Sequence, residues 1–169
     1  MTGSLLKDAM AHHIWATEQL IDACGVLTPE QLGTPVRGTY GSVLATLGHL
    51  VSSDGWYLSF LREGVTQFDD QTEFSVNDLR SAITGNGTAW TELLAEDLDP
   101  DTDIPEIEDG QEIHSPMGVR LAQVVHHGTD HRSQVCTALT SLGVTPPNVD
   151  VWAYARATGR ETMGPAPGS

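Results

Sequence analysis

Apolar residues recur every three or four positions in four long stretches of the chain, which matches the period of an α-helix. The stretches cover approximately residues 4–24, 42–63, 75–96 and 115–142. Ser4 can cap the first stretch, and Ser75 with Asp78 makes a capping-box-like start for the third. Gly85 and Gly87 fall in the middle of the third stretch, where they predict an irregular helix. The pattern therefore predicts four long helices.

Capping and breaking residues mark the ends of these helices. Thr28 and Pro29 open the segment T-P-E-Q-L, which predicts a single helical turn because a glycine and a proline follow it closely. Gly64 and Gly143 are expected to stop the second and fourth long helices. A short terminal helix is predicted over residues 149–158.

An acidic, proline-containing stretch separates the third and fourth long helices. Residues 104–107 and 111–115 flank Asp109-Gly110 and predict a short β-hairpin there. Four long helices with one long crossover are typical of an all-α four-helix bundle. We expect one domain over residues 1–160 and a disordered tail over residues 161–169.

Composition narrows the function classes. The 169 residues suit one domain, and the formal charge of −15 would repel nucleic acid, so no nucleic-acid partner is predicted. No apolar run has membrane-spanning length and no signal-peptide pattern is present, so we expect no membrane partner and a cytoplasmic location. Cys24 and Cys136 lie far apart in helical patterns and are interpreted as small buried hydrophobic residues.

The candidate chemistry lies in the fourth long helix, which carries three histidines within six residues. His127 and His131 are four residues apart and share a face with two valines that should point inward. His49 lies in the second long helix between apolar neighbours. If the two helices are adjacent, the three imidazoles can form an open metal site of the catalytic type, with zinc as the default ion and nickel, iron or copper as alternatives.

Other interpretations of these histidines remain open from the residues alone. They can be core side chains hydrogen-bonded to carbonyl groups, to Asp130 or to Asp54. The segment H-G-T-D-H resembles an inverted H-x-x-E-H metallopeptidase motif with aspartate in place of glutamate. No Glu-x-x-His, H-E-x-x-H, G-x-S-x-G or phosphate-binding glycine loop is present.

Several segments resemble the motifs of the DinB/YfiT-like metalloprotein superfamily. V-V-H-H-G-T-D-H-R-S-Q is similar to the fourth-helix motif, which is usually close to V-V-N-H-x-T-H-H-R-G-Q. L-G-H-L-V-S-S-D-G-W-Y-L resembles the second-helix motif, H-H-I-W-A-T-E-Q-L-I the first, and L-G-V-T-P-P-N-V-D the usual continuation. The chain departs from the fourth-helix pattern at His126, Asp130 and Ser133, and none of these is a ligand position.

The resemblance implies a DinB-like four-helix bundle with a divalent metal on His49, His127 and His131. Some similar proteins are thiol S-transferases or isomerases that use mycothiol, bacillithiol or glutathione, so we expect a low-molecular-weight thiol and a small-molecule substrate. A non-enzymatic metal-binding or stress-response module and a metal-dependent hydrolase are the alternatives. Asp130 and His13 are the candidates for a general base, and a homodimer is compatible with the family.

Overall fold

A computed structural model describes residues 5–164 of the chain. Within this range it has six helices and one hairpin, which confirms the all-α bundle with a short hairpin in the crossover. The predicted cap Ser4 and residues 165–169 of the predicted tail lie outside the described residues. The elements are α1 (Leu5–Cys24), α2 (Pro29–Gly33), α3 (Val43–Ser59), α4 (Val76–Leu93), β1 (Asp103–Glu108), β2 (Gln111–Pro116), α5 (Met117–Ser141) and α6 (Val151–Ala157).

The four long helices form the bundle. Helix α1 packs against α4 and α5, and α3 packs against the same two helices, so the order around the bundle is α1, α4, α3, α5. Helices α3 and α5 are therefore neighbours, as a shared histidine site requires. None of the helices in residues 5–164 has the length and apolarity needed to cross a membrane.

Side-chain caps start several helices as the sequence predicts. Thr28 and Gln31 form a capping box with Pro29 in the first turn of α2, and Ser75 with Asp78 forms a second box at α4. At the C-terminal end of α5, Gly143 has a φ of 78° and the amide of Val144 donates to the carbonyl of Leu139, so the helix ends in a glycine-dependent Schellman motif. Helix α3 ends at Ser59, four residues before the predicted boundary, and turns lead from there to a glycine.

The hairpin and the start of α5 are joined. Asp109 and Gly110 both have positive φ, which is the backbone conformation of a tight two-residue hairpin turn. The amides of Met117 and Gly118 donate to carbonyls of the crossover at 2.8 and 2.9 Å. These bonds satisfy helix-terminal N–H groups that no side chain caps.

The predicted irregularity in α4 is wrong, because the helix runs unbroken through Gly85 and Gly87. A Cβ atom added at Gly87 would lie 2.9 Å from a methyl group of Ile14, so this glycine permits close packing of α4 against α1. The cost of glycine in a helix is offset here by tertiary contact.

A polar layer crosses the middle of the bundle and divides its core into two apolar clusters. One cluster includes Leu20, Leu47 and Val135, and the other includes Leu58 and Val124. Each long helix contributes to both clusters and places buried polar residues between them. These residues are His13, Asp54, Asn86, His131 and Arg132.

Candidate metal centre

The structure brings His49, His127 and His131 together where α3 meets α5. The Nε2 atoms of His49 and His127 are 3.1 Å apart. Each of the three rings places one nitrogen atom within 4.8 Å of a nitrogen atom of both other rings. His131 is buried and the other two histidines are partly buried, so the cluster opens to the outside on one side.

The donor set fits a divalent metal. Two nitrogen ligands of a tetrahedral zinc ion lie about 3.3 Å apart when each bond is about 2.0–2.1 Å, and the observed 3.1 Å separation is close to that value. Three imidazoles leave a fourth position for another ligand. The alternative in which these histidines bond to carbonyls is not observed for His127 and His131, whose buried Nδ1 atoms have no hydrogen-bond partner in the described part of the chain.

The surroundings keep the three rings neutral, as metal ligation requires. Burial, followed by the nearby His131 and His49, lowers the pKa of His127 from 6.5 to about 4. Burial is also the main cause of the lowered pKa of His49 and of His131. At neutral pH each ring therefore carries a lone pair.

Tyr40, which sequence reasoning did not single out, covers one side of the cluster. Its ring stacks on His49 with the centroids 4.2 Å apart and meets the ring of His131 edge-on at 5.5 Å. Its backbone amide donates to the Oε1 atom of Gln134 at 2.7 Å. Gln134 is the last residue of the fourth-helix motif, so this motif also holds the loop that covers the site.

A cleft of about 290 Å³ lies beside the cluster, between α3, α5 and the hairpin. Tyr57 lines it and meets His127 edge-on at 6.1 Å, and Gln123 donates to the Tyr57 hydroxyl at 3.3 Å. Trp56 also lines the cleft and is 38 % exposed, so it is a wall residue and not a core residue. The three histidines are not among the residues that line the cleft, and Tyr57 is the lining residue that contacts His127.

His13 lies beneath the cluster in a buried chain of hydrogen bonds. Its Nε2 is 2.8 Å from Oδ2 of Asp54, and its Nδ1 is 2.7 Å from Nη1 of Arg132. Among the described ion pairs Arg132 has none with Asp130, because residues two apart point to different faces of a helix. Gly128 makes this chain possible, since a Cβ there would lie 2.2 Å from the His13 ring.

The remaining candidates lie outside the triad. Asp130 and His126 are exposed on α5. The charge of Asp130 is one of the smaller influences that raise the pKa of His131, whose larger shift downward comes from burial. His12 is half-buried and donates to the carbonyl of Val149 at 2.8 Å, which ties α1 to the segment before α6.

Comparison with known protein families shows which family the chain resembles. The sequence model of the DinB family matches residues 1–164. The chain belongs to the DinB family. A search of curated proteins found no match. This DinB protein thus combines the helical fold with three close histidines that can hold a divalent metal.

Proposed function

We propose that this DinB protein is a metal-dependent enzyme that transfers a low-molecular-weight thiol to a small electrophile, or uses the thiol to assist an isomerisation. The observation that carries the proposal is the convergence of three neutral imidazoles, with donor atoms within 4.8 Å, next to a tyrosine that lines a cleft. The ligands would be His49, His127 and His131. Zinc is the ion that this donor set suits first, with nickel and iron as alternatives.

A metal bound here would lower the pKa of a thiol in its open position and so supply a thiolate at neutral pH. The chain's own residues define the space around that position. Tyr40 shields the His49 side from water, and Tyr57 and Trp56 form a wall on which a small electrophile can lie. His13 is fully buried between Asp54 and Arg132 and cannot touch a substrate, so the chain provides no base there.

The ligand assignment is tested by metal content. We expect protein purified without a histidine tag to retain close to one equivalent of divalent metal, and His49→Ala and His127→Ala to lose it. His126→Ala is the matched control, because this exposed neighbour of His127 lies outside the triad. Equal metal content in the wild type and the two ligand variants would refute the assignment.

The reaction class is tested by turnover. The metal-loaded protein is incubated with mycothiol, bacillithiol or glutathione and a model electrophile, and loss of free thiol is followed. With at least one of the three we expect either loss of free thiol, from transfer, or conversion of the electrophile at constant free thiol, followed in parallel, from isomerisation. We expect this turnover to be lost in His127→Ala. Metal binding without turnover with any thiol would refute the transferase and favour a metal-binding module, and hydrolysis of an ester without thiol would favour a hydrolase.

A further inference from the structure

Three buried atoms in and beside the polar layer lack a hydrogen-bond partner within the described residues: Oδ1 of Asp54, Nδ1 of His127 and Nδ1 of His131. Two of them bear on the support of the metal centre. One is Oδ1 of Asp54, whose other oxygen accepts from His13. The second is Nδ1 of His127, the ring whose Nε2 faces His49. An unpaired buried acceptor and an unpaired buried nitrogen each cost about 1–3 kcal/mol, so a partner for both is expected.

The orientation of Asp54 is determined by Arg132. A guanidinium group only donates hydrogen bonds, so Nδ1 of His13 must accept from Nη1 at 2.7 Å. The proton of the His13 ring is therefore on Nε2, and it is donated to Oδ2 of Asp54. Burial lowers the pKa of Arg132 to about 10, which still leaves it charged at neutral pH. Oδ1 of Asp54 consequently remains free to accept from another group.

His13 connects the segment that carries His127 with Asp54. The carboxylate of Asp54 acts on His127, whereas the carboxylate that acts on His131 is that of Asp130. Gly128, next to His127 in sequence, packs so closely on His13 that a Cβ there would lie 2.3 Å from Nδ1 of that ring. Asp54 bonds to the opposite side of the same ring. The negative charge of Asp54 also acts on His127, where it opposes the larger effects of burial and of the two other histidines.

We propose that Asp54 is a positioning residue of the metal centre, and that its Oδ1 accepts, through one buried water molecule, the Nδ1–H of His127. This proposal rests on the proposed metal function. A water bound by two or three otherwise unpaired buried groups is a regular part of protein interiors. With its proton held on Nδ1, His127 presents the lone pair of Nε2 toward His49. The hydrogen-bond chain from His13 through Asp54 and the water to His127 then orients the His127 ring as a metal ligand.

The test uses Asp54→Asn in the full-length protein. Because Arg132 requires the His13 proton to remain on Nε2, the amide oxygen of the variant must face His13. The NH₂ group then replaces Oδ1 and cannot accept from the water. The matched control is Thr46→Val on the same helix, since the buried Thr46 hydroxyl donates only within α3, to the carbonyl of Ser42 at 2.8 Å.

The first measurement is zinc affinity, by competition with a chelator. We expect Asp54→Asn to bind zinc about 10–100-fold more weakly than the wild type, the range found when such supporting groups are removed, and Thr46→Val to stay within about twofold. Equal affinities of the wild type and a folded Asp54→Asn would overturn the proposal. If the wild type itself binds no zinc, the proposed function fails. The second measurement then tests the hydrogen bond to His127 independently of metal binding.

The second measurement uses the metal-free wild type, so it depends neither on metal binding nor on the folding of a variant. Nitrogen-15 spectra of the histidine rings of the metal-free wild type, above pH 7, report which nitrogen of His127 carries the proton. We expect Nδ1, with a proton that exchanges slowly with solvent. A proton on Nε2 of His127, or a fast-exchanging mixture of the two tautomers, would overturn the proposed support.

Discussion

Gly128→Ala is the substitution for which the structure predicts the sharpest effect. The added Cβ would lie 2.2 Å from Cε1 of His13, 2.3 Å from its Nδ1 and 2.7 Å from Nη1 of Arg132. Favourable carbon contacts are about 3.5–4.0 Å, so the ring would have to move by about 1 Å or more. It cannot do so alone, because it is fully buried and bonded on both sides.

The size of the effect follows from three contributions to the free energy of unfolding. Overpacking in a filled core costs about 1–3 kcal/mol. Loss of the hydrogen bond between Arg132 and His13 costs about 1–3 kcal/mol, because the donor and the acceptor stay buried. Alanine in place of glycine inside a helix returns about 1 kcal/mol. The net destabilisation is about 1–5 kcal/mol, and a midpoint near 3 kcal/mol corresponds to a melting temperature lower by roughly 6–12 °C in a domain of this size.

The assay is urea unfolding of the metal-free protein, followed by circular dichroism. Gly85→Ala is the matched control, since it changes the same residue type in mid-helix at a position with nothing within 4 Å of the new Cβ. We expect this control to be more stable than the wild type by up to about 1 kcal/mol. If Gly128→Ala were as stable as Gly85→Ala, the packed contact between His13 and α5 would be refuted.

Two further predictions concern the triad. Tyr40→Ala should speed the loss of bound metal to a chelator, because the stacked ring no longer covers His49. Tyr40→Phe should keep the wild-type rate, and equal rates in all three proteins would contradict the covering role. The free energy of unfolding of the metal-free protein should fall as the pH drops from 6.5 toward 4, because over this range the unfolded chain binds a proton at His127 that the folded chain does not. Above pH 6.5 His127 is neutral in both states and causes no such loss of stability. Urea titrations across this range, in the presence of a chelator, should show a weaker pH dependence in His127→Gln, and an unchanged slope would contradict the lowered pKa.

Local signals in the sequence predicted most of the fold. Helix caps such as Thr28 and the box of Ser75 act within three residues, and the Asp109-Gly110 turn acts within two, so their effects can be recognised without knowing the rest of the structure. The prediction failed at Gly87. There the intrinsic preference of glycine was overridden by a contact with Ile14, which is distant in the chain.

The candidate site, like the fold, was predicted from the sequence only in part. The spacing of His127 and His131 placed both on one inward face, the apolar neighbours of His49 suggested it as the third member, and the resemblance to a known family agreed with this set. Tyr40 could not be recognised from its own surroundings, since a loop residue shows no period. Its only sequence signal is Gln134 at the end of the histidine motif, which bonds to its amide from 94 residues away.

The sequence by itself determined the helices, their order and the helix face that carries the histidine pair, because period and capping depend on residues within one or two turns. Tertiary structure alone decided that α3 lies beside α5, that Arg132 turns inward to His13 and not to Asp130, and that Asp54 bonds to the other side of the His13 ring. These are choices between partners far apart in the chain. They depend on which helices share a boundary and on the room that a glycine such as Gly128 leaves between them.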